Sequence, residues 1–597
     1  MSISLPDRKQ IPADPVARAI HKIRRERRRL SSLPPEQALR EILNHPTPAP
    51  LVHSFPEEEL RFFLYDIGLE DGLEILSLAS DHQWEYLLDA DIWEKDRLCS
   101  VELDRWLRLL SQADADRLCR WLTGGQRDLF LYYLNRRVRV TIREHDQDPA
   151  ELGGDFLSWD DMLYFRFSDD PSNPSGENDA AWPETAPEGE WETVLEQLLR
   201  RIAEMDLHLF QRLLLGAGAV IPSEVEEELY RLRTVRLAEK GFQPREEAAA
   251  IYQPLPPARL RPRELPGNRT AADSAETGGY PVPWSAARSV DGDSLLGAAL
   301  AALAPGPEAD ALRRELAGLC NCLIMADDRK VRERTDLTGI VSKAAGFIGL
   351  GIQALPDPPS SGLGPETAVE AIRKYSLPDL FRLGYARVMN LKWRAESWRK
   401  SAWYERRGLA LTFWDEQWVG VLGGLLLPRP RYYDPARPEG GFYREFASGE
   451  DLRRTGLELD ALMTADRLLS DMGLELSREG NILVKEQLVT WKNLLLTFWA
   501  RHMLELPDGL LAMSLEDFRR FHRLMWAPAD DGRWGLRPGI ERIFLSWAAS
   551  RCRVAPEDIP GPCRNLFHRL FQELAEEFLY LPPEEMDIRY IHMFLVS

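Results

Sequence analysis

One apolar pattern is written three times in this chain, and it constrains the fold more than any other feature. Leu73, Leu76, Ala79, Trp84, Leu87 and Leu88 recur 34 residues later as Leu107, Leu110, Ala113, Leu118, Trp121 and Leu122. The same spacing returns at Leu199, Ile202, Met205, Phe210, Leu213 and Leu214. A residue able to cap a helix stands at each internal break: Ser80, Asp114 and Asp206. Apolar positions at helical spacing, a cap, and then a second apolar run describe two helices meeting at a tight turn. Copies of one helical hairpin predict a stacked, solenoid-like array.

The chain of 597 residues is too long for a single core, and its net charge of −20 argues against a surface that binds nucleic acid all over. Six cysteines in such a length do not form a disulfide framework, so a reducing, cytoplasmic location is expected. The first thirty residues lack the apolar stretch of a secretory leader. Uncharged apolar runs such as 344–355, of 12 residues, fall well short of the roughly 20 that a bilayer needs, so no membrane span is expected.

The expected fold is mainly α. Residues 1–15 read as a disordered tail, 16–253 as the helical-repeat domain, and 168–190 as a flexible insertion within it. A Pro-, Gly- and Ala-rich linker follows at 254–293, then a second, irregular helical domain at 294–597. Alternation at Val138–Ile142 and 163–167 predicts one small β-hairpin. Ser54 with Glu57, and Ser80 with Gln83, fit the capping box that opens a helix.

Candidate chemistry is sparse. Asp89, Asp91 and Asp96 form one acidic knot, and His145, Asp146 and Asp148 another; clustered oxygen ligands suit a divalent cation. The first lacks EF-hand spacing and is explained by a solvated interhelix turn; the second lacks a converging partner and is explained by loop polarity. Cys320 and Cys322 lack a second ligand pair and read as small buried hydrophobes. Gly346, Gly349 and Gly351 do not follow the dinucleotide fingerprint. No P-loop, nucleophile elbow or HExxH helix occurs. No cofactor and no catalytic residue is therefore expected.

Two basic regions remain. Arg24, Arg25 and Arg28 lie on the basic face of a helix expected at 16–30. From Arg382 to Arg407 eight Lys or Arg oppose only two Glu, with Trp393, Trp398 and Trp403 at five-residue intervals among Arg394 and Arg399. Cations on phosphates and indoles on bases would suit a single strand, although tryptophans at that spacing fan around a helix and suit packing better.

The wording LVHSFPEEEL at 51–60, WEYLLD at 84–89, IWEKDR at 92–97, REHDQD at 143–148 and LAEKGF at 237–242 resembles a family of uncharacterised bacterial proteins of unknown function. More remotely, the hairpin rhythm resembles the helical N-terminal domain of magnesium transporters and that of flagellar motor switch proteins. These resemblances imply a helical fold and no activity. The expected function is a helical scaffold or regulatory protein that binds an unidentified protein partner. A carboxylate-based metal-dependent enzyme or regulator, and a nucleic-acid binder, are the alternatives.

Overall fold

Where a helix ends, its free amides must find acceptors, and in the first part of this chain short polar side chains supply them. The computed structural model describes residues 15–30, 33–144, 147–148, 152, 156–168, 190–263, 292, 294–355, 364–437, 441–474, 489–507, 512–528, 533–580 and 582–597. The expected tail at 1–15 (apart from its last residue) and most of the insertion at 168–190 lie outside that set, as does most of the linker at 254–293.

The three predicted breaks fall at their caps. Helix α5 (Leu73–Leu78) gives way to α6 (Asp81–Asp91) at Ser80, which forms a reciprocal capping box with Gln83. Helix α7 (Ser100–Thr123) is interrupted at Asp114, whose backbone is extended and whose carboxylate accepts from the Arg117 amide at 3.0 Å. Helix α9 (Glu190–Met205) turns into α10 (Leu207–Gly218) at Asp206, which accepts from the Leu209 amide at 3.0 Å. Ser54 behaves differently. It closes α3 (Pro48–His53), its hydroxyl donating to Leu51 O, and α4 (Glu57–Ile67) starts after Pro56 with no side-chain cap. The N-cap position falls on Pro56, which has no side-chain acceptor, so the expected Ser54–Glu57 box is absent.

The apolar positions of the three copies join one core with Leu51, Leu60 and Phe130. Trp84 and Trp121, from the first two copies, meet edge to face at 5.6 Å. Trp84 also donates to Leu76 O at 2.9 Å, so its indole nitrogen is satisfied. Each such side chain, fully buried, contributes roughly 1.5–3 kcal/mol. Met205 departs from the pattern and is 47% exposed. The predicted hairpin forms as β3 (Val138–Ile142) and β4 (Leu163–Phe167), antiparallel, with Val138 opposite Phe167 and Ile142 opposite Leu163. Three further two-stranded pairs were not foreseen, among them β1 (Trp93–Glu94) with β2 (Arg97–Leu98). The fold is predominantly helical.

The chain divides into two compact units. The first holds residues up to Ile251 together with Leu303–Ala344; the second holds Tyr252–Arg263, Gly292–Ala302 and Ala345–Ser597. The start of the expected linker is therefore packed structure: the Leu255 amide donates to Arg382 O at 3.3 Å and the Arg263 amide to Lys374 O at 2.6 Å.

In the second unit, helices Arg334–Ile352 (through its latter half) and Leu377–Arg399 touch backbone to backbone. A Cβ on Gly351 would stand 1.9 Å from Leu380 O, and one on Gly384 2.0 Å from Phe347 O. Of the glycines outside the dinucleotide pattern, Gly351 serves that contact, whereas a Cβ on Gly346 would meet Phe446 O and Ala447 Cα at 3.0 Å. The core beside it is aromatic, with Trp414, Trp418 and Trp491 in a run of rings 5.5 Å apart.

Candidate ligand-binding site

In the first unit, three helices each turn one mixed polar and apolar face toward a common cavity of about 320 Å³. Helix α4 supplies Glu58, Arg61 and Phe62, at i, i+3 and i+4. Tyr86 and Ala90 come from α6, and Tyr230, Arg233 and Leu237 from α11 (Pro222–Glu239). The β1–β2 turn adds Trp93 and Lys95, the latter held at φ 59°. The far wall is the end of the helix Pro307–Asp327, whose left-handed cap Asp328 redirects the chain through Arg329, Lys330 and Val331.

A buried ion pair holds the walls together. Arg61 is 5% exposed and Asp91 is fully buried. The Arg61 guanidinium binds the Asp91 carboxylate and also donates to Val331 O, so one side chain ties α4, α6 and the far wall. Tyr65 donates to the other Asp91 oxygen at 2.8 Å. Burial opposes the charge on Arg61, but Asp91 prevails and holds its pKa above the ordinary value. Behind α6, Arg236 grips Asp89 with two hydrogen bonds of 2.7 and 2.8 Å, and Arg233 donates to Asp89 O at 2.8 Å. Burial nevertheless raises the Asp89 carboxyl, an effect that Arg236 offsets in part.

What faces the cavity is less fully paired. Arg233, Arg329, Lys330 and Lys95 have no ion pair among the described residues, and Arg245 stands 3.8 Å from Asp328. The Arg233 guanidinium lies 5.5 Å from the Trp93 ring and 5.9 Å from that of Tyr230. Burial pulls its pKa below the ordinary value, yet an arginine so perturbed stays charged. Glu58, buried on the wall with no ion pair among the described residues, is pushed up by desolvation to about 7. The Tyr86 hydroxyl is driven well above its ordinary value for the same reason. The lining thus offers an excess of cations, several aromatic rings, and a carboxyl group that holds its proton near neutrality. Concave, largely apolar walls with a few convergent polar groups are what small-molecule sites require.

Residues 17–597 match the profile of DUF6178, a family of unknown function. The chain belongs to that family. No curated protein and no solved structure matches it, and the magnesium-transporter likeness is not shown.

The sequence-predicted residues are placed elsewhere. Asp89 and Asp91 are neutralised by arginines, whereas Asp96 is exposed on the β1–β2 turn. Asp148 is exposed, and His145 and Asp146 lie outside the described residues. Among the described residues no group of three or more His, Cys, Asp or Glu is arranged to hold a metal ion. Arg24 and Arg25 are exposed on α1 (Pro15–Leu30), and the Arg28 side chain lies outside the described set. Trp398 and Trp403 are core residues whose faces are not open to a base: Trp398 stacks on Tyr404 at 5.6 Å, and Asp466 accepts from the Trp398 indole and the Trp403 amide. Trp393 is 46% exposed, while Arg394 and Arg399 pair with Asp460 and Glu405. Cys320 and Cys322 are buried, and burial pushes their thiols up to about 12 and about 11. Among the described residues, no helix is long and apolar enough to cross a membrane.

Sequence reasoning missed the cavity. The available signal was Glu58 and Arg61 sharing a helix face with Phe62, where a core helix would carry apolar residues throughout.

Proposed function

We propose that the first unit of this protein is a receptor for a small organic anion with an apolar body. The observation that carries this reading is the clustering of Arg233, Arg329 and Lys330, without ion pairs among the described residues, on one cavity in a chain of net charge −20. Anions of several kinds, screened against the full-length protein by thermal shift, test it. A ligand at 100 times its Kd stabilises the site by about 2.7 kcal/mol, which a melting curve resolves. The shift is expected to disappear in the double variant Arg233→Gln, Lys330→Gln. If no organic anion shifts the wild-type protein, the reading is wrong.

A second reading, docking of a protein partner on the helical hairpins, is supported by the third copy. There Met205, Leu207 and Leu215 are 47%, 42% and 45% exposed. Native capture with the wild-type chain and with a Met205→Ser, Leu207→Ser variant separates the two readings. A partner retained by both chains counts against docking at this face.

A further inference from the structure

Resting on that reading of the cavity, we infer that its ligand is a phosphomonoester carried on a planar ring, of the nucleoside monophosphate kind. Three features of the lining converge on this class. The first is charge. Arg61 is already matched by Asp91 and Arg245 lies near Asp328, which leaves Arg233, Arg329, Lys330 and Lys95 against Glu58 and Glu94. Even with Glu58 ionised, these four cations exceed the two carboxylates by two, a surplus suited to a dianion and more than a single carboxylate requires.

The second feature is where the charge sits. Arg233 lies against Trp93 and Tyr230, whose rings are themselves 5.6 Å apart, so cation and aromatic surface occur within one side chain's reach. A ligand that uses both needs its anionic group close to a flat apolar body. The third is Glu58, on the α4 wall with Arg61, Tyr86 and the apolar Phe62 as fellow lining residues. A protonated carboxyl both donates and accepts a hydrogen bond, the pairing that a heterocyclic ring edge presents and a plain hydrocarbon ring does not. The cavity volume, about 320 Å³, lies at the small end of ligand sites and suits one mononucleotide-sized molecule.

Isothermal titration of the full-length protein decides the matter with five probes: adenosine monophosphate, cytidine monophosphate, adenosine, inorganic phosphate and indole-3-acetate. The expected result is that at least one monophosphate binds about ten-fold or more tighter than adenosine and inorganic phosphate. That affinity should fall about ten-fold in Lys330→Gln and again in Arg329→Gln. Neither side chain makes an ion pair among the described residues, so both variants should keep the wild-type melting temperature without ligand. Indole-3-acetate or inorganic phosphate binding as tightly as the monophosphates overturns the ring-phosphate class and leaves the anion receptor standing. Monophosphate binding unchanged in both variants places the ligand outside this cavity and overturns the inference. Silence of all five probes overturns it too, and a thermal shift by some other organic anion then shows that the receptor reading survives alone.

Discussion

The two units solve the problem of joining helices in different ways. In the first, buried charges cross between elements: Arg61 to Asp91, Arg236 to Asp89, Arg137 to Asp104 and Lys343 to Asp327. In the second, helices close on one another chiefly through glycine contacts and a run of tryptophans, with buried Asp466 and the Arg444–Asp451 pair as polar links. Among the described residues the indole nitrogens of Trp414, Trp491 and Trp499 there have no hydrogen-bond partner, as is also true of Trp106 in the first unit. A paired charge is directional and demands its partner at a set place, so it can hold walls apart around a cavity. Apolar packing rewards any close approach and tends to fill space. The first unit keeps a cationic hollow, and the second fills its centre with rings.

Breaking a charge pair in the first unit should give the largest effect. Asp91→Ala leaves Arg61 charged and buried without its carboxylate, with an expected loss of about 3–5 kcal/mol. Hydrogen exchange followed segment by segment should show protection falling in α4 and α6 while the helices of the second unit keep theirs. Equal loss in both units would mean that the Arg61–Asp91 pair does not act locally.

The reciprocal test adds a methyl group where the second unit permits none. Gly384→Ala sets a Cβ against Phe347 O, and the overpacking should cost about 3 kcal/mol, read as lost protection in Leu377–Arg399. A neutral outcome would mean that the two helices can separate without penalty.

The cavity wall supplies a pH-dependent comparison. Glu58 has a folded pKa of about 7 against an ordinary 4.5. Its native state therefore binds the proton more tightly than the unfolded chain. The associated stability is fully present below pH 4.5 and is lost as pH rises to about 7. Glu58→Gln removes that dependence, so the variant should exceed the wild type by up to about 3 kcal/mol at pH 7 and match it near pH 4.5. Urea midpoints measured across that range check the sign. A gap that widens toward acid would contradict the burial of this carboxyl.

The smallest effects belong to the caps. Ser80→Ala and Asp206→Ala should each cost about 1 kcal/mol, with faster amide exchange confined to the first turns of α6 and α10. An exposed pair such as Arg453 with Glu450 is screened by solvent, and a double-mutant cycle should find no resolvable coupling between them.

Much of the local structure could be read from the chain alone. The breaks at Ser80, Asp114 and Asp206 follow from a cap and a change of apolar phase within a few residues. The β3–β4 pairing follows from alternation on both strands. Ser54 misled because Pro56 two residues on supplies a competing helix start. The acidic knot was visible, but its meaning was not: Asp89 finds its arginine 147 residues away, and Asp91 finds its own 30 residues back. Nor could the tryptophans after Arg382 be assigned, because the same indole serves a core or a base according to what packs over it.

Caps, apolar period and strand alternation act within one or two turns of chain, so the breaks at Ser80, Asp114 and Asp206 and the β3–β4 hairpin follow from neighbouring residues alone. Which charges pair and which face a cavity depended instead on the packing of helices far apart in the chain. That packing brought residues 58 to 95, 230 to 245 and 324 to 337 to one place, and local pattern carries no record of which distant helix becomes a neighbour.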